Sequence, residues 1–177
     1  KNHRSSCAIY CIKPLEKLIL VPNGIDPYKL RFLPRDEARL KLFEKISRKS
    51  GKVFQADTII GTIANLYPTK GIKFLVETAE YFKNDERIIF TVIGDGPERK
   101  NLESLIADRQ LQHKIFLLGQ IENGYKFMSG FDLFVLPSVK EGFPFAVIEA
   151  MAAKLPIVAT RVGAMPEIIE NGKNGFV

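Results

Sequence analysis

Two glutamates and a lysine are the side chains whose types and settings in this sequence could do chemistry. The segment EGFPFAVIE opens on Glu141, closes on Glu149 and is apolar almost throughout between them. Gly142 gives the backbone freedom and Pro144 suits the first turn of a helix, so Glu141 is expected in a loop and Glu149 one to two turns inside the helix that follows. There Glu149 sits among Val147, Ile148, Ala150 and Met151, and a carboxylate in such company costs free energy unless it is paired or hydrogen-bonded. In LYPTKG, Lys70 stands at a helix entry, where a cation and free backbone N–H groups can face one anion.

An ionised carboxylate accepts two hydrogen bonds at once from neighbouring hydroxyls, and a ribose or a hexose presents them side by side. Lys70 and the helix N-terminus suit a diphosphate. Glu149 on a ribose, Lys70 on phosphate and Glu141 on a second sugar together describe a nucleotide sugar. A capping role for Glu141 and a salt bridge for Glu149 account for the same residues equally well.

The apolar pattern gives the strands and helices that carry these groups. TIIGTIANL, RIIFTVIG, KIFLLG, DLFVLPS and PIVAT read as short continuous apolar strands, and GIKFLVETAEYFKN, PERKNLESLIADRQ and FPFAVIEAMAAK as helices between them. Buried strands alternating with helices imply βαβ units. The expected fold class is α/β, a Rossmann-like parallel sheet with helices on both faces. Such sheets bind ligands beyond the carboxyl ends of their strands, which directs attention to residues 67–71, 94–97, 120–124, 138–144 and 161–165. The loop GDGPER lacks the third glycine of a dinucleotide fingerprint, since Arg99 stands there. It reads better as a tight strand-to-helix turn with Pro97 at the first helical position.

Upstream, VPNGIDP clusters turn formers, and RDEARLKLFEKISRKSG spaces Leu40, Phe43 and Ile46 as the apolar stripe of a basic helix stopped by Gly51. These signals divide the chain into residues 1–20, residues 21–57, a linker and basic helix, and residues 58–177, the expected ligand-binding domain. Charge is uneven: residues 1–52 hold 13 Lys and Arg against 5 Asp and Glu. A basic flank suits nucleic acid, an anionic membrane surface or a phosphorylated ligand, and a solvated helix face accounts for it more simply. No apolar run approaches the roughly 20 residues that cross a bilayer. Cys7 and Cys11 have no second Cys or His pair to complete a zinc site, and His3 and His113 are isolated. No metal site is expected.

The segment SVKEGFPFAVIEAMAAKLPIVATRVGAMPEII resembles the E-x7-E region of the retaining glycosyltransferases of family 4, the glycosyl transferases group 1, which have the two-domain GT-B fold. VPNGID, IANLYPTKG, VIGDGPE, IFLLGQ and FDLFVLPS match further motifs of that family, in order, from about residue 20 to Val177. The resemblance implies the donor-binding half of an enzyme that moves a sugar from a nucleotide diphosphate sugar to a glycan, lipid or small-molecule acceptor with retention. The acceptor would be held mainly by a missing N-terminal domain, of which residues 1–20 would be a remnant or crossover. Residues 58–177 would be the nucleotide-sugar-binding domain, shortened at its C-terminal end, and this half alone would bind but not transfer.

By the same resemblance Glu149 holds the ribose and Glu141 the donor sugar, with Gly142, Phe143 and Pro144 near sugar or phosphate and Ile121 and Asn123 near the base. Lys70 and Asn65 line the phosphate loop. No cofactor or metal is implied beyond the donor itself, and no nucleic-acid partner. The expected setting is cytoplasmic, with peripheral association at the inner face of a membrane. Two positions depart from the family pattern. Asn65 stands where an Arg is common, which removes a charge beside the diphosphate. Pro144 stands where many members offer an N–H. A noncatalytic nucleotide-sugar or phosphate binding module is the alternative that Asn65 favours, and a dinucleotide-dependent dehydrogenase is a more distant one.

Overall fold

The computed structural model describes residues 24–177; Cys7, Cys11, His3 and the expected 1–20 segment lie outside the described residues. The order is α1 (Arg35–Ser50), β1 (Thr58–Ile63), a 3-10 turn Pro68–Lys70, α2 (Ile72–Glu80), β2 (Ile88–Ile93), α3 (Arg99–Asp108), β3 (Ile115–Gly119), a 3-10 segment Gly124–Gly130, β4 (Leu133–Leu136), α4 (Phe145–Ala152), β5 (Ile157–Ala159) and α5 (Met165–Ile168). Five parallel strands lie in the order β3-β2-β1-β4-β5. The chain builds outward from β1 to one edge, then returns to β1's other side and builds to the opposite edge. That reversal places a crevice at the carboxyl ends of β1 and β4, where open α/β sheets hold their ligands.

Two apolar layers sandwich the sheet, because its inner strands are covered on both faces and alternate residues must meet apolar partners on both sides. On one face Ile59, Ile89, Phe116, Phe134 and Leu136 pack with Leu42 and Ile46 of α1, Phe127, Met128 and Phe131, and Val147 and Ala150 of α4. On the other face Ile60, Phe90, Val92 and Leu117 meet Leu75, Val76 and Ala79 of α2 and Leu102 and Ile106 of α3. Each large apolar side chain so buried contributes roughly 1.5–3 kcal/mol.

Gly51 ends α1 as expected, in the left-handed conformation at φ 70°, its N–H donating to the Ser47 carbonyl. The stripe that α1 buries is Ala38, Leu42 and Ile46, however, and Leu40 is 61% exposed. The reason is close approach: a Cβ added at Gly130 would lie 3.1 Å from the Ala38 Cβ, so a small residue rather than a large one defines the contact. Pro97 is likewise displaced. It lies in the turn before α3, which starts at Arg99.

Asp132, at the start of β4, ties α1 to the amino-terminal end of the sheet. It accepts from the Ile59 N–H at 2.7 Å, from Arg39 at 2.8 Å and from Arg35. Burial raises its pKa, but the Ile59 N–H and the two guanidinium groups outweigh this and hold the carboxyl below its usual value. A depressed carboxylate stabilises the fold above its unfolded pKa, about 3.9, and that stabilisation is lost as pH falls below it. Asp132→Asn is expected to cost about 2 kcal/mol at neutral pH, the exposure of Arg35 reducing its share. Urea titrations should show the gap from wild type closing as the pH is lowered from 5 to 3.

Candidate functional site

Three loops converge at the carboxyl edge of β1, β4 and β5. After β1 the chain makes the 3-10 turn Pro68–Lys70, and Gly71 then reverses it at φ 64° into α2. A Cβ at Gly71 would collide with the Pro137 carbonyl, so glycine permits both the turn and the approach of the β4 loop. That loop is latched on: the Val139 and Lys140 N–H groups donate to the Thr69 carbonyl at 2.8 and 3.3 Å. From the other side, the Thr160 hydroxyl donates to the Ser138 carbonyl and the Ala164 N–H to the Gly142 carbonyl at 3.0 Å. Gly163, at φ 57°, leaves room for the Glu141 and Gly142 carbonyls.

Within this frame Lys70 and Glu141, 71 residues apart in sequence, form an ion pair of 2.6 Å. The Glu141 side chain is only 6% exposed, whereas that of Lys70 is 26% exposed. The Ser138 hydroxyl donates to the same carboxylate oxygen, Oε1, at 2.7 Å. Sequence reasoning missed Ser138, although its place three residues before Glu141 in the strand-end motif LPSVKE was a usable signal. Glu141 lies in the loop before α4 as expected, and Pro144 stands immediately before the helix. The N–H groups of Gly142, Phe143, Phe145 and Ala146 have no hydrogen-bond acceptor among the described residues, leaving donors free at a helix entry.

Glu149 is one turn inside α4 and half-buried. Its carboxylate has no hydrogen-bond or salt-bridge partner among the described residues, and burial pushes its pKa up. The salt bridge that competed with a ligand role is thus not formed within them. Asn65 is exposed in the loop after β1, its side chain bonded to nothing among the described residues, and its carbonyl accepts the Tyr67 N–H. Ile121 packs against the core beside Tyr125, and Asn123 is exposed at φ 52°, its left-handed turn starting the 3-10 segment. None of Asn65, Ile121, Asn123 or Glu149 makes a side-chain hydrogen bond to Lys70 or Glu141.

The glycines of GDGPER serve packing. A Cβ at Gly94 would strike the Ala64 carbonyl and one at Gly96 the Leu66 backbone, while the Leu66 N–H donates to Asp95 and the Glu98 N–H to Leu66. Among the described residues no His, Cys, Asp and Glu cluster could hold a metal ion, and no helix is long and apolar enough to cross a membrane.

A lysine-bearing turn and a buried carboxylate thus meet at the reversal point of a parallel sheet, with a second, unpartnered carboxylate in the helix that follows. The sequence profile of the family described as Glycosyl transferases group 1 matches residues 43–177. The chain belongs to this family. Among group 1 relatives, the poly(ribitol-phosphate) alpha-N-acetylglucosaminyltransferase of Staphylococcus aureus (strain COL) is 36% identical over 128 residues, covering 71% of this chain and 26% of the relative. The UDP-Gal:alpha-D-GlcNAc-diphosphoundecaprenol alpha-1,3-galactosyltransferase of Escherichia coli is 31% identical over 178 residues, covering 94% of this chain and 43% of the relative. A crystal structure of the C-terminal domain of a group 1 glycosyl transferase, LpcC of Francisella tularensis, superimposes with a TM-score of 0.70 at 28% identity, covering 87% of this chain and 80% of that one. The chain spans less than half the length of these two curated relatives. Its fold is the Rossmann-like α/β architecture of GT-B glycosyltransferases.

Proposed function

We propose that this chain is the donor-binding half of a retaining glycosyltransferase of family 4, taking a nucleotide diphosphate sugar and passing the sugar to a glycan, lipid or small-molecule acceptor held mainly by a second domain. The observation that carries the reading is the Lys70–Glu141–Ser138 cluster at the crevice where the sheet reverses, beside the free N–H groups that enter α4. Lys70 and those N–H groups stabilise negative charge on the diphosphate as the bond to the sugar breaks, the electrostatic contribution that often dominates catalysis. Glu141 accepts hydrogen bonds from the donor sugar and Glu149 from the ribose. Ile121 and Asn123 meet the base. Retention then proceeds by front-face attack assisted by the departing phosphate, without a metal and without a covalent intermediate on Glu141, whose role is hydrogen bonding.

The E. coli relative's name, with its UDP-galactose donor and diphosphoundecaprenol-linked acceptor, supports uridine nucleotides as first probes. The excess of Lys and Arg along α1 supports a membrane-face setting for this helix, which we propose to be on the cytoplasmic side. Sedimentation with anionic and neutral vesicles tests that setting, and equal binding to both would remove it. Calorimetric titration of this chain with UDP, GDP and their hexose conjugates tests the donor site. Micromolar binding of at least one conjugate is expected, and failure of all of them would end the reading. A noncatalytic binding module of the same fold remains the second reading because Asn65 brings no charge to the phosphate loop. It is separated by joining this chain to its full-length protein and measuring sugar transfer.

A further inference from the structure

We propose that Ser138 is a positioning residue for Glu141, holding one carboxylate oxygen so that the other is presented to the donor sugar; this rests on the donor-site reading above. Ser138 is 1% exposed at the end of β4. A buried hydroxyl must donate somewhere, and in a loop its usual partner is a nearby backbone group. Here it donates to the Glu141 Oε1 at 2.7 Å, the same oxygen that receives the Lys70 ammonium at 2.6 Å. Oε2 has no partner among the described residues. A carboxylate offers about four lone-pair positions, so this division leaves a whole oxygen for a ligand.

Lys70 cannot set that orientation alone. Its ammonium is a point charge on a flexible stem, and the same charge is wanted by a diphosphate. Ser138 is different, because its backbone is fixed on both sides. Its carbonyl accepts the Thr160 hydroxyl, and the adjoining Val139 N–H is bound to Thr69. The Ser138 hydroxyl therefore keeps Glu141 aimed when Lys70 turns to phosphate. The arrangement predicts that the hydroxyl matters to the sugar and not to the nucleotide.

The test is calorimetric titration of this chain with UDP and GDP and with their hexose conjugates, comparing wild type, Ser138→Ala, Ser138→Thr, Glu141→Gln and the Ser138→Ala/Glu141→Gln double variant. In Ser138→Ala the affinity gained by adding the sugar should fall about tenfold, as expected for a lost hydrogen bond to a charged group. Affinity for the free nucleoside diphosphate should stay within about twofold. Ser138→Thr, which keeps the hydroxyl, should restore part of the gain, and the double variant should be no weaker than Glu141→Gln. Equal losses for nucleotide and conjugate, or no loss, would overturn the positioning role and leave the donor site standing. If wild type binds no conjugate, or Glu141→Gln binds conjugates as wild type does, the donor-site reading of Glu141 fails and the role of Ser138 fails with it.

Discussion

Lys70→Ala is expected to lower the affinity for a nucleoside diphosphate by about 10- to 100-fold, the value of one hydrogen bond between charged partners. Transfer by the full-length protein should fall by a comparable or larger factor, since charge on the leaving diphosphate grows as the glycosidic bond breaks. Removing the ammonium also leaves Glu141, with a side chain only 6% exposed, bonded through Ser138 alone. A buried acid stripped of its cation is destabilising, but Lys70 is partly solvated, so the loss of stability should be modest, about 1 kcal/mol. Calorimetry with UDP or GDP and urea unfolding on the same preparation separate the two effects. A variant that binds nucleotide as wild type does would remove Lys70 from the phosphate site. Rising salt should weaken wild-type binding more than binding by the variant, because the screened charge is gone from the latter.

Glu149→Gln should move stability and binding in opposite directions. Burial raises the pKa of Glu149 with no described partner to offset it, so the folded state holds this proton more tightly than the unfolded chain does. A carboxyl raised in this way makes stability fall as pH rises through the interval from its unfolded to its folded pKa, and the penalty is complete above it. The amide carries no such penalty. Glu149→Gln is therefore expected to raise Tm at pH 7, with the advantage over wild type vanishing near pH 4. Binding should suffer instead: an amide presents one acceptor oxygen where a carboxylate presents two, and loss of a ribose contact to a charged acceptor is worth about tenfold or more in Kd. Thermal melts at pH 4 and pH 7 with nucleotide titrations of the same protein check both halves. A variant that is less stable at pH 7 would mean that Glu149 is paired in solution. Such opposition between stability and affinity is what a group retained for a ligand should display.

Much of this was legible in the amino-acid order. The five strands, the helices between them and the parallel class followed from continuous apolar runs separated by helical spacing, because a strand covered on both faces cannot afford alternation. The Gly51 stop was legible because a left-handed C-cap admits few residues besides glycine. The stripe on α1 was not. Counting large apolar residues selected Leu40, whereas the fold selected Ala38, since α1 approaches Gly130 so closely there that a Cβ added to the glycine would lie 3.1 Å from the Ala38 Cβ. Pro97 failed for a related reason: the turn it occupies is held by the Leu66 backbone, a contact from a distant loop.

The chemistry on offer, namely Glu141 in a glycine-containing loop, Glu149 in an apolar helix and Lys70 at a helix entry, is readable from the amino-acid order, because these settings depend on residues within a turn or two of each group. Which of them meet depends on the folded chain. Lys70 and Glu141 come together because β4 lies beside β1, a pairing set by sheet order, and Ser138 joins them because the β1 and β5 loops clamp its backbone. Glu149 is kept apart from that cluster on the next turn of structure, half-buried and without a described partner. Distances of this kind arise from strands and loops far apart in the chain, and local spacing carries no record of them.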